Sequence, residues 1–130
     1  MNALVAKGAR TFSNAVKPTI EREQLSATKL QRACTRLNQA IALLDLLANC
    51  DDNQACWGAS RLLDMAAEQL ARAINSEDSE LAVDGRAILF EALTIMAMIA
   101  DSDAALPIAG VITLAGLVRD ELNGMLPATS

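Results

Sequence analysis

The chain has 130 residues, a formal charge of −5 at pH 7, 52% hydrophobic residues, 2% aromatic residues and no histidine. That length suits a single domain able to bury about two-thirds of the surface its unfolded chain exposes. The missing histidine excludes Glu-x-x-His di-iron sites, His-Glu-x-x-His zinc sites and Ser-His-Asp triads, and a chain rich in Ala and Leu with few β-branched runs favours helix over strand.

Residues 1–18 stand apart as a basic amphipathic segment. Read as a helix ended by Pro18, it puts Val5, Ala9, Phe12 and Val16 on one face and Lys7, Arg10 and Lys17 on the other. A segment of this kind can fold back on its own domain, serve as a targeting signal or partner-binding arm, or lie on an anionic membrane. Four apolar positions make folding back the first reading and membrane anchoring the last. No apolar run of seven or more follows the first charge, which argues against a secretory signal of the usual pattern.

Residues 19–126 read as a bundle of four helices, with 127–130 as a short tail. The first helix is expected from Ile20 or Ser26 to Ala48, with a seam of Leu30, Cys34, Leu37, Ile41, Leu44 and Ala48 at alternating four and three spacing. Asn49 to Asn53 makes a turn, and Asp51 or Asp52 is the expected N-cap of a second helix reaching Ile74. Its seam is Cys56, Ala59, Leu63, Ala66, Leu70 and Ala73. A third helix is expected from about Asp78 to Ala100, with Glu77, Asp78 and Glu80 against the positive end of its dipole. Asp101 to Asp103 turns the chain into a fourth helix, capped by Asp103, holding Pro107 in its first turn and ending near Asn123. Three short connections between heptad-like seams predict an antiparallel up-down-up-down bundle, an all-α fold.

Helices three and four carry apolar residues over more of their circumference than such a bundle buries. Ile88, Leu89, Phe90, Leu93, Ile95 and Met96 surround the third axis, and Val111, Ile112, Leu114, Leu117 and Val118 span much of the fourth. A surface helix needs one stripe, so the remainder calls for a cover. The favoured cover is a second copy of the chain, a homodimer pairing Leu89, Leu93, Met96, Leu114 and Leu117 across a twofold axis. The N-terminal segment is the second. A bilayer ranks third, because the runs Ala87 to Ala100 and Ala104 to Val118 hold 14 and 15 residues, short of the roughly 20 that span one.

Charge is divided along the chain: seven basic and two acidic residues through Arg36, four basic and fourteen acidic beyond it. Arg22, Lys29, Arg32 and Arg36 form a stripe on the first helix that could meet an acidic protein partner or pair with the acidic remainder of its own bundle. Nucleic acid is disfavoured as a partner, because no aromatic residues interleave with the stripe and the pI is about 4.6. Arg61, Asp64, Glu68 and Arg72 read as a solvated ion-pair ladder, and Glu77, Glu80 and Asp84 as a helix start without the second carboxylate set a magnesium site needs. Glu91 either pairs with Arg61 or Arg119 or faces water. Trp57 is expected as a lid over the Cys50 to Cys56 turn.

Cys34, Cys50 and Cys56 are odd in number and lack C-x-x-C spacing, which suits reduced thiols in a cytosol, a Cys50–Cys56 bridge being the rival. Catalytic, cofactor and metal residues are absent from this reading. It describes a small cytoplasmic helical bundle that self-associates and binds another protein as an adaptor or inhibitor does, with a membrane-associated or apolar-ligand-holding bundle as the alternative.

Overall fold

In the computed structural model the described residues are 27–50 and 53–127. They form four helices: α1 over 27–50, α2 over Gln54–Ser76, α3 over Ser79–Ser102 and α4 over Ala109–Met125, with no strand among them. The fold is the all-α four-helix bundle the seams predict. The N-terminal segment 1–18 and the last three residues lie outside the described residues.

Side-chain contacts set the up-down order. Ser60 on α2 donates a hydrogen bond to Asp45 on α1 across the first turn. Gly85 on α3 sits against Ala66 and Leu70 of α2, Arg86 on α3 reaches Asn123 on α4, and Arg36 on α1 pairs with Glu121 on α4. In each pair a position early in one helix meets a later position of its neighbour, so the four contacts are antiparallel and α4 returns beside α1.

Alternation of small and large residues explains the close fit of α2 on α3. Ala59, Leu63, Ala66, Leu70 and Ala73 are buried on α2, and Ala82, Gly85, Leu89, Ala92 and Met96 on α3. A Cβ at Gly85 would stand 3.1 Å from Leu70 Cδ2 and 3.2 Å from the Ala66 carbonyl oxygen, tighter than ordinary van der Waals contact, so the glycine is what lets the two backbones approach. All six expected seam positions of α2 are buried. On α1 the buried stripe is Ala33, Leu37, Ala40, Ile41, Leu44 and Ala48, while Leu30 and Cys34 are half-buried.

Helix ends depart from expectation in two places. The N-cap of α2 is Asn53, whose Oδ1 accepts from the Ala55 and Cys56 amides at 2.9 and 3.2 Å, in place of Asp51 or Asp52. A side-chain amide oxygen serves as well as a carboxylate there, because a cap needs only an acceptor one turn ahead of the first unsatisfied N–H groups. The α3–α4 connection is longer than the expected turn: α3 runs on to Ser102, and α4 begins only at Ala109, after Pro107. Proline disfavours helical backbone at the residue before it, which holds Leu106 out of the helix; Asp103 caps a turn by accepting from the Ala105 amide at 3.2 Å. Asp78 caps α3 as expected, accepting from the Glu80 amide at 2.9 Å.

The α2–α3 turn passes through a left-handed residue, Glu77, at φ 53° and ψ 38°. Its amide and that of Asp78 both donate to the Ala73 carbonyl, closing the end of α2. A side chain with a Cβ pays for that conformation, whereas glycine does not. Glu77→Gly is therefore expected to raise the unfolding free energy by about 0.5–1 kcal/mol in urea denaturation, while Glu77→Ala gives no gain.

Candidate interaction surface

The core takes much of what the sequence assigns to an interface. Leu89 and Met96 are fully buried within the chain and Leu93 is 8% exposed, so these three belong to the intramolecular core, correcting their placement on a self-interface. The physical reason lies in α3, whose buried stripe carries eight residues including Gly85 and Arg86 and is wide enough to absorb the leucines. Leu114 is half-buried and Leu117 is 44% exposed.

What remains outside falls on two faces. On α3, Phe90 and Met98 are 38% and 64% exposed, Glu91, Thr94 and Ala97 are exposed between them, and Ala87 is exposed one turn before Phe90. The antiparallel register set by Arg86 and Asn123 brings Ala97 level with the half-buried Ile112 on α4, and the charged Glu91 and Asp101 of α3 and Arg119 of α4 border this outer face. The second face follows the α1/α4 boundary, where the Arg36–Glu121 pair fixes the register. Leu43, two turns along α1, and Leu117, one turn along α4, are each 44% exposed, while Leu46, nearly three turns from Arg36 and on the side of α1 away from the core, is 60% exposed. Leu43 and Leu46 lie off the core seam of α1, which is why sequence reasoning passed over them.

The basic stripe divides. Arg36 forms a part-buried ion pair with Glu121, so this candidate partner-binding residue is engaged within its own bundle. Lys29 and Arg32 are exposed, and Arg22 lies outside the described residues. The ladder residues Arg61, Asp64, Glu68 and Arg72 are exposed with no ion pair joining them. Glu91 faces water. Trp57 is 38% exposed, between the buried Cys56 and Ala59, and the turn it is expected to cover includes residues 51 and 52, outside the described residues.

Arg86 is the buried polar residue that sequence reasoning missed. It is 2% exposed, donates from Nη2 to the Pro127 carbonyl at 2.7 Å and from Nη1 to Asn123 Oδ1 at 3.4 Å, and its buried Nε has no partner. Both acceptors lie at the C-terminal end of α4, whose last turn has no basic residue of its own. The guanidinium thus supplies from α3 the positive charge that end of a helix favours. The signal was present in the sequence, since Arg86 follows Ala82 by four and precedes Leu89 by three, on the core stripe.

The chemistry available is modest. Ser60 Oγ donates to the half-buried Asp45, a polar clamp between α1 and α2, and among the described residues no group of three or more Cys, Asp or Glu side chains is placed to hold a metal ion. Cys50 is an exposed free thiol at the end of α1 while Cys56 is buried, and burial pushes the Cys34 thiol up. Among the described residues no helix is long and apolar enough to cross a membrane. No family model matches the chain, and no curated protein or solved structure matches it either.

Proposed function

We propose that this chain is a non-catalytic helical bundle of the cytoplasm that acts by binding protein, in the manner of an adaptor or inhibitor, and that it forms a homodimer through the outer face of α3 and α4. The observation that carries this reading is the exposure of two large apolar side chains, Phe90 and Met98, on the outer side of α3, with the small residues Thr94 and Ala97 exposed between them and Glu91 beside them. Exposed large apolar side chains gain by being covered, and a twofold contact requires only one self-complementary patch of them with a polar rim. Leu117 faces the α1 side and leaves this interface. An exposed free thiol at Cys50 suits a reducing compartment.

Light scattering tests the reading. The wild-type chain is expected at twice its 13.8 kDa mass. Phe90→Glu combined with Met98→Glu is expected to weaken the dimer about a hundredfold, through roughly 3 kcal/mol of lost apolar burial, with helical circular dichroism unchanged. A wild-type chain that stays monomeric across the accessible concentration range would overturn it.

A further inference from the structure

Helix α1 carries a second seam, outside the bundle. Its first half is Lys29, Arg32 and Arg36, its second half Leu43, Leu46 and Cys50, with Gln39 between them. These positions recur at alternating spacings of three and four, so they form one stripe along the helix, and all but the half-buried Arg36 are exposed. The stripe therefore changes character along its length, from positive charge to apolar surface. Helix α4 follows the same division: Glu121 pairs with Arg36, and the exposed Leu117, one turn before Glu121, lies beside the apolar half. Lys29 and Arg32 have no ion pair among the described residues. The single acidic residue of α1, Asp45, lies off the stripe and accepts from Ser60 of α2.

We propose that this stripe receives an amphipathic helix of another protein, apolar along one half and acidic along the other. The inference rests on the reading of this chain as a protein-binding bundle and names the class of its partner. Alternating three and four is the spacing at which one helix meets another along its length, and from Lys29 to Cys50 the seam runs about 32 Å at 1.5 Å per residue, room for a helix of six turns. An apolar half of the partner covers Leu43 and Leu46, while carboxylates opposite Lys29 and Arg32 steer the encounter and fix which end lies where. A bilayer fits the stripe less well. A helix lying on anionic lipid has its positive charges beside the apolar face along its whole length, whereas here charge and leucines lie in tandem on a chain of net charge −5. The stripe is separate from the outer α3/α4 face, so partner binding and dimerisation can fail independently.

Synthetic peptides test this on the full chain. Two helical peptides of about 24 residues carry leucines at the seam positions of one half and glutamates at those of the other, one with the leucines first and one with them last. By fluorescence anisotropy one of the two is expected to bind, more weakly as salt rises. The double variant Lys29→Glu with Arg32→Glu changes only exposed side chains, so its helical circular dichroism is expected to be unchanged. It is expected to bind the glutamate peptide about tenfold more weakly and to bind the matching lysine peptide instead. The Phe90→Glu, Met98→Glu chain is expected to bind the glutamate peptide as the wild type does, whether or not light scattering finds the wild type dimeric. Failure of both glutamate peptides to bind would overturn the proposal, as would equal binding of the lysine and glutamate peptides to the wild type. Binding of the chain to phosphatidylserine vesicles through Lys29 and Arg32, with no peptide bound, would overturn it too and assign the stripe to a membrane surface.

Discussion

Leu89→Ala is expected to lower the unfolding free energy by about 3–5 kcal/mol, the loss typical of a fully buried leucine whose site collapses only in part. Leu89 has no exposed surface and sits on the α3 stripe that faces Ala66 and Leu70 through Gly85, where the backbones are already in close contact and cannot close further on a cavity. The same substitution separates core from interface. A core leucine costs the same stability at every protein concentration, whereas a leucine at a dimer contact costs stability only where the dimer is populated. Urea denaturation of wild type and variant at two concentrations tenfold apart is therefore expected to show the same difference at both. A difference that vanishes at the lower concentration would return Leu89 to the interface.

Arg86 gives the second large effect, and it separates the stem of the side chain from its charge. Truncation to alanine removes a buried stem from the α3/α4 contact and is expected to cost about 2–4 kcal/mol. Arg86→Met keeps the stem, removes a guanidinium whose Nε is buried without a partner, and leaves acceptors on Asn123 and Pro127, both exposed residues that water can satisfy. Because burying a cation beside neutral acceptors recovers little of its desolvation cost, Arg86→Met is expected to be neutral or stabilising, by up to about 2 kcal/mol. Thermal unfolding of both variants checks the ordering. A methionine variant as unstable as the alanine one would show that the charge at the end of α4, and not the packing of the stem, holds the C-terminal turn.

The sequence made the bundle legible because period and composition agree. Alanine and leucine alternate along α2 at three and four spacing, and each of those positions is buried. Helix existence and order followed from such seams, and the Asp78 cap from its place before the third one. The connection after α3 was misjudged because the apolar periodicity runs through Pro107, and only the backbone restriction that proline imposes on its neighbour separates Leu106 from α4. The interface residues were misplaced for a related reason. Counting apolar residues around α3 shows that a surplus exists but not which members the bundle absorbs, since that depends on the angle at which α2 and α4 approach. Leu89, Leu93 and Met96 form the inward stripe, and the surplus falls on Phe90 and Met98, one and two positions outside it. The leucines of α1 that face outward, Leu43 and Leu46, were hidden by a seam that accounted for the helix without them.

The proposed dimer joins two copies of the chain through the outer α3/α4 face. A solution of equal parts isotope-labelled and unlabelled protein tests it most directly, because only contacts between chains then give isotope-filtered nuclear Overhauser effects. Such effects are expected from the side chains of Phe90 and Met98 to their counterparts in the second copy. Intermolecular effects confined to Leu43 and Leu117, or none under conditions where the wild-type mass is that of one chain, would contradict it.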